Sequence, residues 1–201
     1  SMNGAMDDAD NNTAIGHLTL NALTTGDTNV AIGNDAGGDI TSGTSNTLMG
    51  SEAGHELTTA TSNVAIGKSA LDRMDGAVTQ NVAIGTAAMH GNLSNVAITG
   101  CVAIGHEALE GTLTTGANYS VAIGKEALKG LTSGGGNIAI GYQAGDAITT
   151  APQNTAIGYQ ALTANVEGLH NTAIGYTALV ACAGSDAEQA NVAVGREAGY
   201  G

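Results

Sequence analysis

An all-β parallel solenoid of about eleven short coils is the fold class this sequence predicts. Three observations predict it. The phrase Asn-Val/Thr-Ala-Ile-Gly, two variable residues, then Ala-Leu or Ala-Gly recurs eleven times in 201 residues. Its glycines stand at Gly16, Gly33, Gly50, Gly67, Gly85, Gly105, Gly124, Gly141, Gly158, Gly175 and Gly195, so the spacings are 17, 17, 17, 18, 20, 19, 17, 17, 17 and 20 residues. With no Trp, no Phe and 31 Gly, the chain cannot fill an ordinary aromatic-rich core. A thin core of Ala, Val, Ile and Leu, repeated coil after coil, fits instead.

Each position of the unit, numbered from its Asn, has its own chemistry. Position 2 is β-branched in every copy, which marks a strand. Position 4 shares its parity and therefore its face. It holds Ile15, Ile32, Ile66, Ile84, Ile104, Ile123, Ile140, Ile157 and Ile174, with Met49 and Val194 elsewhere, and these are assigned to the core. Position 3 points the other way and is Ala in all copies but one, Leu48. An outward face that is always small and apolar is not an ordinary solvent face. Ala31, Ala65, Ala83, Ala122, Ala139, Ala156 and Ala173 are accordingly read as a surface covered by another copy of the chain.

Beyond the strand, the Gly at position 5 turns the chain. Positions 6 and 7 vary freely, as in His17-Leu18 and Lys68-Ser69, and form an exposed corner. Position 8 is Ala in all copies but one, and position 9 is Leu, Met or Gly. The x-x-Ala-Leu segment fits either one helical turn or a 3₁₀ turn. A last apolar residue, among them Leu23, Ile40, Leu57, Met74, Leu93, Leu113, Leu131, Ile148 and Val166, completes each coil. Asn opens nine copies, and Cys101 and Ser120 open the other two. Stacked one coil apart, those amides form a hydrogen-bonded ladder. Around Asn95 the phrase stutters, since Asn95-Val-Ala-Ile98 runs almost directly into Val102-Ala-Ile-Gly105; an insertion or bulge is expected there.

Charge and motifs narrow the function. A net charge of −13, with only five scattered basic residues, disfavours nucleic acid and anionic membranes as partners; solubility is its simplest role. Cys101 and Cys182 lie about four coils, or ~20 Å, apart at ~4.8 Å per coil, too far for a disulfide. No apolar run approaches the roughly 18 residues of a membrane span, so no membrane insertion is expected. Residues 1–11, with Asp7, Asp8 and Asp10, read as a flexible acidic segment. Ser1-Met2 looks like the scar of a cleaved tag, so the chain reads as part of a longer protein. Residues 12–201 form a single solenoid domain in this reading.

The phrases Ser120-Val-Ala-Ile-Gly124 and Asn63-Val-Ala-Ile-Gly67 resemble the head repeats of YadA-like trimeric autotransporter adhesins. Asn154 to Leu162 and Asn171 to Leu179 resemble, equally well, the Asn-Thr-Ala-Ile-Gly-Tyr-x-Ala-Leu arrays of phage tail fibres. The resemblance covers about residues 12–199. It implies a left-handed parallel β-roll, three chains side by side, and surface binding rather than catalysis. The 17-residue unit is longer than the usual adhesin head repeat, and neck, stalk and anchor have no counterpart here. The tail-fibre version fits better.

Catalytic, metal and cofactor signatures are expected to be absent. No nucleophile elbow, phosphate loop or calcium-binding nonapeptide stands out. His17, His55, His90, His106 and His170 sit at different repeat positions without ligand spacing, leaving only a trimer axis as a place to gather them. Glu52, Glu107, Glu126 and Glu197 read as a solvated edge. The feature above background is Tyr142, Tyr159 and Tyr176, at position 6 of three consecutive coils beside Gln143, Gln160 and Thr177. Such a stripe suits a glycan contact or plain stacking of the coil edge. The expected function is a structural and adhesive segment of a phage tail fibre or trimeric surface adhesin, at a virion or cell surface. Its partners would be itself, as a homotrimer, and a host glycan or protein receptor. The alternative is a carbohydrate- or ice-binding solenoid acting through one flat face.

Overall fold

The computed structural model describes residues 8–91, 96–164, 167–180 and 190–200. Asp7, Leu93, Asn95, Val166 and Cys182, which carried expectations above, lie outside these residues. Two compact units divide the chain, Ser1–Gly100 and Cys101–Gly201. Both are stacks of parallel β-solenoid coils.

The first unit holds β1 (Thr13–Ile15), β2 (Val30–Ile32), β3 (Thr47–Met49), β4 (Val64–Ile66) and β5 (Val82–Ile84). Each pairs in parallel with the next, and like repeat positions face each other, as in Ala14↔Ala31 and Ile66↔Ile84. The second unit holds β6 (Val102–Ile104), β7 (Val121–Ile123), β8 (Ile138–Ile140), β9 (Thr155–Ile157), β10 (Thr172–Ile174) and β11 (Val192–Val194), paired in the same manner. Each strand is three residues long. Thr61, Thr79 and Thr99 add isolated parallel bridges in the connections of the first unit.

Between strands, the backbone turns without ending its inter-coil bonding. The Asp35 N–H donates to His17 O in the preceding coil, and the Gly37 N–H donates to Ala53 O in the following one. Reversing direction over two residues requires peptide flips, and positions 7 and 9 supply them by adopting the left-handed region, as at Glu126 (φ 60°) and Leu128 (φ 49°). A left-handed residue other than Gly costs about 1–2 kcal/mol. Burial of the Leu side chain, about 1.5–3 kcal/mol, together with the inter-coil bonds, offsets it. The x-x-Ala-Leu segment is thus neither a helical nor a 3₁₀ turn; among the described residues the sole 3₁₀ helix is Thr115–Ala117, in a connection. Position 5 is stricter. Gly67 has φ +133°, and a Cβ there would lie 2.6 Å from the carbonyl oxygen of Gly85.

The core lies on the opposite strand face from the one expected. Ala31, Ala65, Ala83, Ala122, Ala139, Ala156 and Ala173 have no exposed surface, so they cannot form a face between chains. Ile32, Ile66, Ile84, Ile104, Ile123, Ile157 and Ile174 are half-buried on the outside, and Ile15 and Ile140 are exposed. The parity was right and the direction reversed. The reason is volume: the coil interior is already filled from across by position 9 (Leu20, Leu71, Leu109, Leu128) and by Leu23, Ile40, Leu57, Met74, Leu113, Leu131 and Ile148, all fully buried. That leaves room for a methyl group on the strand side. Leu48 demonstrates the trade, because Gly54 and Gly37 stand at position 9 where its two methyls lie; a Cβ on either would be 2.8 Å from one of them.

The Asn ladder forms as expected. Asn46 is fully buried. Its N–H and Nδ2 both donate to Asn29 Oδ1, at 3.0 Å each. Nδ2 also crosses the coil to Ala60 O at 2.8 Å. One side chain therefore ties two coils together and closes its own. Ser120 keeps the place more weakly, with its Oγ 3.5 Å from Gly134 O and 3.4 Å from Asn137 N. The buried Cys101 thiol donates to Ala117 O at 3.4 Å, and burial raises its pKa. At the stutter, Val102 sets the strand register. Ile98 belongs instead to the preceding connection, where its carbonyl accepts from Asn81 Nδ2 at 2.9 Å.

Candidate functional site

Exposed columns arise wherever the 17-residue period places variable corner residues above one another. Position 6 of the second unit builds the most organised one. Tyr142, Tyr159 and Tyr176 stack with ring centroids 5.2 Å apart and interplanar angles of 20° and 8°. That spacing is the coil rise slightly stretched, within the range of about 4.5–7 Å that offset rings prefer. The rings remain 36–48% exposed. Both ends carry a cation from the same position: Lys125 Nζ is 5.9 Å from the Tyr142 centroid, and Arg196 Cζ is 5.5 Å from that of Tyr176. An exposed cation–π contact contributes about 0.5–1 kcal/mol. Lys125 and Arg196, both at the freely varying position 6, are the capping members of this column.

Position 7 runs alongside. Gln160 Nε2 donates to Gln143 Oε1 at 2.8 Å, and Gln143 Nε2 donates to Glu126 Oε2 at 2.7 Å. Lys125 Nζ lies 3.2 Å from Glu126 Oε1. These hydrogen bonds, that of Gln143 foremost and Lys125 next, hold the Glu126 carboxyl below its ordinary range. The structure thus brings Tyr142, Tyr159, Tyr176, Gln143 and Gln160 together, and it changes what they offer. The ring faces are turned toward neighbouring rings and cations, and the amides are committed to one another. What remains for a ligand is a row of ring edges and phenol hydroxyls about one coil apart. Sugar stacking on an open ring face is not what this surface provides.

A second surface is the outward side of the strands. Positions 2 and 4 present Val30, Ile32, Val64, Ile66, Val82 and Ile84 in the first unit, and Val121, Ile123, Ile138 and Ile140 in the second. Two parallel columns of side chains, β-branched except for Met49 and without a charge among them, cover the sheet.

The histidines also fall into columns. His17 and His106 are at position 6, while His55 and His90 are both at position 10, two coils apart; the reading of unrelated positions is corrected. Between them at position 10 stands Asp72, nearly buried. A search for His-x-x-x-His spacing could not find this group, because a solenoid brings residues together across a whole coil rather than a helical turn. Among acidic groups elsewhere, Glu107 is held low mainly by the hydrogen bond from Lys129, 2.6 Å away. Burial pushes Asp146 up. Asp10 is tied to the first coil through its N–H, which donates to Asp27 Oδ1 at 2.7 Å. Comparison with protein-family models, with curated proteins and with solved structures finds no match for this chain.

Proposed function

We propose that the chain is a rigid, non-catalytic segment of a trimeric fibre or surface adhesin that attaches to a host surface by multivalent display. The observation that carries this reading is the outward face of the strands. In an ordinary antiparallel sheet the solvent face alternates to polar residues. Here the outer positions are Val, Ile and Thr over coil after coil, and Ile15, Met49, Ile138, Ile140, Val192 and Val194 are exposed in the single chain. An apolar face this regular is the mark of an interaction surface, and an identical repeating face on each chain suits closed symmetric association. The sheet that joins the chains is then the Val/Ile face, with the Ala face kept inside each coil. Three side-by-side chains would present three copies of every corner column, so weak receptor contacts would add through effective concentration. The acidic charge keeps such rods soluble and apart, and the setting would be a virion or a cell surface.

Molar mass in solution is the test. The wild-type chain is expected at three times its monomer mass, and Ile66→Asp together with Ile123→Asp is expected to shift it toward the monomer. A wild-type monomer would remove the fibre reading. A glycan remains the receptor class that the tyrosine column suits, through its hydroxyl row; Tyr159→Phe should then weaken glycan-array binding, and unchanged binding would retire that contact.

A further inference from the structure

We propose that His55, Glu56 and Asp72, in the first unit, form a binding site for one divalent transition-metal ion, with Asp35 holding the His55 ring from its other side. One ligand atom from each of the three residues lies within 4.8 Å of the other two. Bonds of about 2.0–2.2 Å to nitrogen and oxygen in a tetrahedral site bring ligand atoms to roughly 3.4 Å of one another. A shift of at most about 1.4 Å therefore closes the site, and the flexible Glu56 side chain can supply most of it.

The arrangement is built rather than incidental. His55 presents Nδ1 to Asp72 Oδ1 at 3.8 Å and Nε2 to Asp35 Oδ2 at 3.5 Å. A carboxylate on one ring nitrogen fixes the tautomer, leaving the lone pair of the other for a metal. Asp72 is itself positioned: its Oδ1 accepts the Arg73 N–H at 2.8 Å, and His90 Nε2 stands 4.0 Å from its Oδ2. Gly38 occupies position 10 of the preceding coil, where a Cβ would collide with Asp35 Oδ1 and lie 2.9 Å from His55 Cδ2. A residue with any side chain at that corner would displace the pair.

The chemistry selects the metal class. Two carboxylates balance the charge of a dication, and one imidazole favours zinc and its neighbours over calcium, which takes oxygen ligands almost exclusively. Three protein ligands leave a position for water or for a group from a partner. Bridging two coils at a part-buried corner, the ion would add a fastening to the pairing of their strands.

The full chain, stripped of metal with a chelator, is titrated calorimetrically with zinc chloride and calcium chloride, and its melting is followed with and without each. One zinc per chain and a raised Tm are expected, with no response to calcium. His55→Ala and Glu56→Gln should abolish the zinc response. Asp35→Asn should weaken binding about ten- to a hundredfold, as loss of an orienting partner does. His106→Ala, in the second unit, should bind as wild type. No zinc binding by the wild type overturns the proposal. So does wild-type titration by either ligand variant; should His55→Ala fail to fold, Glu56→Gln, at a part-exposed position, decides alone.

Discussion

The two units run the same backbone programme and differ in two respects: the continuity of the Asn ladder and the chemistry of the corner columns. In the first unit every coil opens on Asn, from Asn12 through Asn29, Asn46 and Asn63 to Asn81. In the second, the ladder begins with Cys101 and Ser120 before Asn137 resumes it. The corners diverge further. One unit stacks His55, Asp72 and His90; the other stacks Tyr142, Tyr159 and Tyr176 between two cations. Interior positions are fixed by volume and hydrogen bonding, whereas corner positions meet only their equivalents one coil above and below. A solenoid of this kind therefore varies its surface chemistry by columns.

The sharpest way to break the comparison is to give one unit the other's rung. Asn46→Ser in the first unit removes the donor to Ala60 O and leaves a shorter side chain to meet the Asn63 N–H, now bonded to Asn46 Oδ1 at 3.1 Å. Each buried polar group left unpaired costs about 1–3 kcal/mol, so urea unfolding should show a loss in that range. The reciprocal Ser120→Asn, in the second unit, should be stabilising. If both changes are neutral, the ladder is a consequence of stacking and contributes little to holding it.

What could be read from the chain before its coordinates follows the same division. Period, strand positions, the Asn ladder and the inward Leu23, Ile40, Leu57 and Leu131 were legible, because each depends on one residue type recurring at one spacing. The direction of the strand was not. Ala31 and Ile32 are both apolar, and only the volume already taken by Leu20 and Leu23 across the coil decides which of them turns inward. The tyrosine column was legible for the same reason as the ladder. The His55–Asp72–His90 column was not, because its members differ in type and alternate between coils, so that no single residue repeats.

A smaller effect is expected from Tyr159→Ala, which empties the middle of the second unit's column. Two stacked pairs are lost, each worth about 0.5–1.5 kcal/mol beyond area burial, although exposure on the corner places the sum toward the lower end. Tyr159→Phe retains the stack and should melt near wild type. A near-UV circular dichroism signal lost in the Ala variant and retained in the Phe variant would show the rings acting as a spine. Equal melting of all three would leave the column purely decorative.

The smallest effect concerns acid, and there the second unit carries opposing groups. Glu107 and Glu126 have folded pKa values below the ordinary 4.5. They contribute stability above that pH and lose it as pH falls through their lowered values. Asp146 behaves oppositely. Burial raises its folded pKa above the ordinary 3.8, outweighing the hydrogen bond from the Ala147 N–H. Its contribution is fully present below 3.8 and lost as pH rises through the folded value, so at neutral pH the ionised carboxylate opposes folding. Asp146→Asn keeps an acceptor for the Ala147 N–H and removes the charge. Its Tm should exceed that of wild type at pH 7 and converge with it as the pH is lowered below 3.8. A gain that persisted unchanged in acid would mean that the side-chain amide, rather than the removal of a partly buried charge, was responsible.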